Sequence, residues 1–234
     1  MRLAGAMMMA LVCTSLSATA AEAFLTEKDY ADFIAIFCPP GYDDPLFFND
    51  LCQHARALKV WGTPRAEVAR QDYPWDIGVA KRFEEAYGQA ISPEETPELY
   101  VLLERTAMDA SISLRAIKTY YKRVRPYVFF GESTLISDDE EVLRNNGSFP
   151  SGHSTIGWVC ALILGELAPE RQNEIFKRGL DYGLSRVIAN YHWQSDVEVA
   201  RVIASMVVAR LHACDAFREQ LDRARQERRA GQFP

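Results

Sequence analysis

The stretch "TPELYVLLERTAMDASISLRAIKTYYKRV", residues 96–124, carries apolar side chains at Leu99, Leu102 and Leu103 and again at Ile112, Ile117, Tyr120 and Tyr121. That recurrence has the period of a helix with one buried face. It stops at the Arg125–Pro126 step, because proline removes a donor and clashes with the preceding turn. The same reading extends along the chain. "STIGWVCALILGELA" (154–168) is apolar nearly all round and ends before Pro169, as a buried helix would. "RQNEIFKRGLDYGLSRVIANY" (171–191) and "SDVEVARVIASMVVARLHACDAFREQLDRARQERR" (195–229) continue the period, the second turning charged toward its end. "GESTLISDDEEVLRNNGS" (131–148) is polar and acidic and reads as a loop. No run alternates apolar with polar residues as a half-buried strand does. The expected fold class is all-α, a globular helix bundle.

With 234 residues, 48% of them hydrophobic, the chain can bury one sizeable core. The net charge of -6 and pI near 5.3 exclude a broad nucleic-acid surface, which must be basic. Any phosphate-binding cations must therefore be few and focused.

The first residues read as a leader. "MRLAGAMMMALVCTSLSATAAEAF" has Arg2, an apolar run from Leu3 to Leu16, and small residues at Ala18 and Ala20 or at Ala21 and Ala23. The run is shorter than the roughly 18 apolar residues a membrane span needs. Residues 1–20 are expected to be a signal peptide, with cleavage after Ala23 as the alternative, and residues 21–234 a single domain exported to a periplasm. No membrane contact is expected once the leader is gone. Its removal takes Cys13 and leaves Cys38, Cys52, Cys160 and Cys214, for which three pairings remain open. Cys160, inside "IGWVCALIL", is expected to be a buried free thiol. No cysteine or histidine cluster suggests a metal site, and no cofactor is expected.

Three clusters carry chemistry. Lys118 and Arg125 stand seven residues apart, two turns if the helix continues, which puts two cations on one side of a helix end. "NGSFPSGHST" (146–155) brackets a helix start with Pro150 and Gly152, so the amides around Ser151, Gly152 and His153 can face outward as an anion site. His153 stands at its edge. In "SRVIANYHWQSD" (185–196), His192 and Asp196 are four apart, neighbours on one face if that turn is helical. The carboxylate would then fix the tautomer of His192 and leave its other nitrogen free to attack.

Taken together, Lys118 with six residues before Arg125–Pro126, Pro150-Ser151-Gly152-His153, and Ser185-Arg186 with five residues before His192 and three more before Asp196 resemble the three signature blocks of the phosphatidic acid phosphatase type 2 (PAP2) superfamily, which includes the vanadium-dependent haloperoxidases. Within it the chain resembles the bacterial class A nonspecific acid phosphatases from about Asp44 onward.

The resemblance implies an acid phosphatase of that all-α fold acting on small phosphate monoesters such as nucleotides, sugar phosphates or aryl phosphates. It implies that Lys118, Arg125, Arg186, Ser151 and Gly152 hold the phosphate and that His192 is the nucleophile, oriented by Asp196. His153 is then the proton donor to the leaving group. It further implies a metal-independent reaction with an acidic preference, possible phosphotransfer to alcohols, and a homodimer or larger homo-oligomer. The alternatives are a vanadate-dependent haloperoxidase, whose known examples are longer chains, and a non-catalytic phosphate-binding module. For the latter, a carboxylate-held histidine would serve no purpose.

Overall fold

The computed structural model describes residues 22–231 apart from residue 76, so the leader reading of residues 1–20 lies outside it. A 3-10 turn at Glu27–Tyr30 and α1 (Phe33–Ile36) precede α2 (Pro45–Leu58), α3 (Pro64–Gln71), α4 (Ile77–Lys81) and α5 (Glu84–Tyr87). Then come α6 (Pro97–Tyr121), α7 (Pro126–Phe130), α8 (Glu140–Arg144), α9 (Gly152–Leu167), a 3-10 turn at Pro169–Arg171, α10 (Gln172–Ile188), α11 (Gln194–Leu211) and α12 (Asp215–Gly231). The fold is all-α, and no strand occurs among the described residues.

Helix α9 is the hub. Ile156, Val159, Cys160, Ile163 and Leu164 are buried, and α6, α10 and α11 pack around it. Burying an aliphatic side chain of this size contributes about 1.5–3 kcal/mol, so the apolar sequence of α9 itself commits it to the centre. Helix α12 docks on α6 through Phe217, Leu221 and Ala224. Its Glu227 carboxylate accepts the N–H groups of Glu98 and Leu99, at 2.9 and 3.1 Å. Those are first-turn amides of α6 that have no intrahelical acceptor, so the two helices are tied at the end remote from Lys118.

Three local expectations are corrected. Helix α6 ends at Tyr121, not at the proline, because Lys122 turns left-handed at φ 44° and its N–H closes on the Lys118 carbonyl. Lys118 and Arg125 therefore do not share two turns of one helix. Arg125 is extended (φ -73°, ψ 152°) and stands at the N-cap of α7, as a residue before proline prefers. The helical run 195–229 is broken at His212–Cys214, where the chain turns so that Phe217 enters the core, without any Gly or Pro to mark the break. The polar segment 131–148 contains one short helix, α8.

All four cysteines of the described region are free thiols, with Cys160 buried as expected. Among the described residues no helix is long and apolar enough to cross a membrane.

Candidate active site

The C-terminal ends of α6 and α10, the N-terminus of α9 and the start of α11 converge on a cavity of about 310 Å³. It is lined by Lys118, Arg125, Gly152, His153, Arg186 and His192, together with Tyr73, Trp75, Asp139 and Leu143. Six of the eight residues picked out in the sequence thus line one cavity. Asp196 lies behind His192, and Ser151 is fully buried beneath the start of α9.

The loop before α9 draws the cations together. The Gly147 carbonyl accepts from Lys118 Nζ at 2.9 Å and from Arg125 Nη2 at 3.4 Å. Only glycine fits there, because a Cβ on Gly147 would sit 2.9 Å from the Lys118 carbonyl oxygen and 3.0 Å from Lys122 Cα. Arg125 is further fixed by Nε bonds to the carbonyls of Leu143 and Asn146 and by an Nη1 bond to that of Tyr191. Arg186 is different. It is 1% exposed and faces the Tyr191 ring, and its Nε and Nη1 have no acceptor in the protein. Buried guanidinium N–H groups without partners are costly, so this pocket is arranged for an anion.

Electrostatics agree with that geometry. Enclosure by protein, reinforced by Arg125, lowers the Lys118 pKa to about 7, and burial lowers that of Arg125 to about 10. Burial also lowers Arg186. His153 and His192 are held well below the ordinary histidine value, first by burial and then by neighbouring cations. The protein interior thus disfavours positive charge at five adjacent positions, and a multivalent anion would reverse each shift.

The two histidines present different nitrogens. His192 Nε2 lies 3.3 Å from Arg125 Nη1, which can only donate, so Nε2 carries the lone pair and Nδ1 the hydrogen. Nδ1 is 3.5 Å from Asp196 Oδ2, an electrostatic contact longer than a good hydrogen bond. The expected helical i, i+4 relation is corrected here. His192 precedes α11, whose N-cap is Trp193, and Asp196 is the third helical residue, its Oδ2 accepting the Trp193 N–H at 2.9 Å. His153 Nε2 is 3.0 Å from the Tyr73 carbonyl, which can only accept, so Nε2 bears a hydrogen and Nδ1 is the nitrogen free to exchange a proton.

Ser151 is placed differently from the expectation. Its Oγ caps α9 and meets Ser154 Oγ at 2.8 Å, and its N–H donates to the Asp196 carbonyl. Gly152 alone of that pair lines the cavity. A Cβ on Gly152 would fall 2.7 Å from Trp75 Cη2, so the missing side chain lets the indole close over the helix N-terminus.

Several residues escaped the sequence reading. Arg123 donates to Asp196 Oδ1 at 2.7 Å and Asp50 Oδ2 at 2.8 Å, and Asp50 also accepts from the Ser195 N–H and hydroxyl. This buried ladder fixes the carboxylate behind His192. Arg123 lies in "YKRVRP" (121–126), where three basic residues in four positions are a signal, whereas nothing marks Asp50. The Tyr73 hydroxyl bonds to Asp139, a member of the acidic run read as a solvated loop, and so ties together two residues that line the cavity. Behind Arg186, the hydroxyl of Ser185 is held by Asp72, which also pairs with Arg178. Tyr191 and Trp193 are core residues that do not line the cavity, and His54 is buried against Phe130 with Glu132 as its partner.

Residues 100–220 match the model of the PAP2 superfamily. The chain is 41% identical over 207 residues to a non-specific acid phosphatase of Providencia stuartii, covering 87% of this chain and 84% of that one. It is 39% identical over 191 residues to a non-specific acid phosphatase of Salmonella typhimurium, covering 81% of this chain and 76% of that one.

Proposed function

The chain belongs to the PAP2 superfamily, alongside its non-specific acid phosphatases, and from that premise we propose that it hydrolyses phosphate monoesters through a phosphohistidine on His192. The observation that carries this is Arg186: a buried guanidinium with two nitrogens lacking acceptors, facing a cavity that already holds Lys118 and Arg125.

The three cations bind the peripheral phosphoryl oxygens, with the first-turn amides of α9 at Gly152 and His153 as further donors. They stabilise charge that spreads over those oxygens in the transition state. His192 Nε2 attacks phosphorus in line, and the bond to the leaving oxygen breaks. His153 Nδ1 gives that oxygen its proton, and the same nitrogen then takes a proton from the water that displaces His192. Asp196, held by Arg123, keeps the Nδ1 hydrogen of His192 on the side away from phosphorus and steadies the charge that develops on the ring.

Protonation follows from the same contacts. A depressed pKa keeps His192 neutral, as a nucleophile must be, but it also leaves His153 unprotonated in the free enzyme. A phosphate dianion offsets the fields of Arg186 and Arg125 and lets His153 gain its proton. Falling pH helps that step and rising pH removes it, so the optimum is acidic.

The cations in the cavity take the part that metal ions play in other phosphatases, which supports metal-independent turnover. Nucleotides, sugar phosphates and aryl phosphates are the substrates, and an alcohol competes with water for the phosphohistidine. The leader places the enzyme in the periplasm.

The test is hydrolysis of p-nitrophenyl phosphate from about pH 4 to pH 8 by the wild type and His192→Ala. The reading requires an acidic optimum that the variant lacks. Equal turnover by both proteins would refute it.

A further inference from the structure

Midway along α6, nine residues before Lys118, a buried carboxylate has no cationic partner. Asp109 is 0% exposed, and no Lys, Arg or His nitrogen among the described residues pairs with it. Its oxygens instead receive the Phe24 N–H at 2.8 Å, the Leu25 N–H at 3.0 Å and the Tyr30 hydroxyl at 3.0 Å. Buried carboxylates are ordinarily paired with a positive charge, and this one is aimed at a backbone nitrogen.

That nitrogen belongs to the residue after Ala23, where Ala21 and Ala23 form a small-residue cleavage pattern. The Phe24 side chain is seated as a chain anchor. Its ring meets Phe217 edge-on at 5.5 Å and packs against the main core, and the Arg105 guanidinium covers it at 3.6 Å.

We propose that an endopeptidase specific for small residues cleaves the leader between Ala23 and Phe24, and that the resulting α-ammonium of Phe24 forms a buried ion pair with Asp109. Water adds hydroxide to the Ala23 carbonyl carbon as its bond to the Phe24 nitrogen breaks. The leader departs as a carboxylate, and the nitrogen, which keeps its own hydrogen, takes up both protons of that water to become the ammonium. The 2.8 Å contact then turns from an amide hydrogen bond into a charge-assisted one. Processing gives up the Arg105 Nε bond to the Glu22 carbonyl and leaves Arg105 over the Phe24 ring.

Cleavage after Ala20 would leave a three-residue tail and a neutral amide against Asp109. The ion pair therefore distinguishes two cleavage sites that the leader pattern leaves open, and it makes full stability of the domain a consequence of processing. The proposal rests on the export reading and not on the phosphatase chemistry.

The full chain should be expressed in a Gram-negative host and the exported protein measured by intact mass and N-terminal sequencing. Phe24 as first residue is expected, and Ala21 as first residue overturns the proposal. In parallel, a protein starting at Phe24 is compared with one retaining Ala21–Ala23, each made by release from a cleavable tag, with and without Asp109→Asn. The Phe24-start protein should melt about 2–4 °C higher, and that difference should vanish in the Asn variant. Equal melting of the two wild-type proteins overturns the ion pair even if Asp109→Asn fails to fold. Turnover of p-nitrophenyl phosphate should be the same for both N-termini, so a failure here is distinct from a failure of the enzymatic reading.

Discussion

Nε2 of His192 lies 3.3 Å from Nη1 of Arg125, and that one contact fixes which nitrogen carries the lone pair. The guanidinium also reaches the carbonyls of Leu143, Asn146, Gly147 and Tyr191, so its position is dictated by backbone from α8 and from the segments that precede α9 and α11. Arg125→Lys keeps the charge and cannot make those bonds. It is expected to lower kcat by about 10²–10³-fold. Steady-state kinetics check this, and a variant within twofold of wild type would show that charge alone suffices.

Sulfate isolates the role of Lys118, because its own charge is constant across neutral pH. In the free protein the Lys118 ammonium loses its proton as pH rises through about 7. Bound sulfate favours the charged form, so affinity is full below that pH and falls above it, by up to about tenfold per pH unit. Calorimetric titration from pH 5.5 to 8.5 should show that slope, and Lys118→Ala should make it shallower.

Arg123 stands between two fully buried carboxylates, Asp50 and Asp196. Its removal leaves both without a cation. Arg123→Ala is therefore expected to destabilise the protein by about 3–5 kcal/mol in urea unfolding. Asp50→Asn keeps the site folded and loosens only the support of Asp196. Its kcat should fall while KM holds, since no substrate contact is touched.

Gly152→Ala drives a Cβ to 2.7 Å from the Trp75 ring. The indole must move or the N-terminus of α9 must shift, and a displacement near 1 Å costs about 10²-fold in rate. Adding Trp75→Ala to Gly152→Ala should recover much of that loss. Without recovery, the harm would lie in the helix terminus itself.

EDTA is expected to leave turnover unchanged, because Lys118, Arg125 and Arg186 supply the positive charge at the cavity. Vanadate should inhibit by occupying the phosphate position. Activity lost in EDTA and restored by zinc would contradict this.

The fold class was legible because α9 and α6 are written in uninterrupted helical periods, and the cavity residues because they recur at fixed local spacings. Helix ends were less legible. Lys122 adopts a left-handed cap with no glycine to announce it, and the turn at His212–Cys214 is set by where Phe217 finds the core. Asp50 was invisible for a similar reason. It approaches Asp196 only through the packing of α2 on α11, 146 positions apart in sequence. Ser151 shows the converse, a signature residue whose hydroxyl serves the helix cap and not the cavity.

The central claim is covalent catalysis by His192, and its most direct measurement is rapid mixing of enzyme with p-nitrophenyl phosphate, alkaline quench and peptide mass analysis. One phosphoryl group on the peptide containing His192, formed as fast as p-nitrophenol appears and absent from His192→Ala, is the result expected. Turnover with no adduct, or an adduct on His153 or Ser151 instead, would contradict the account.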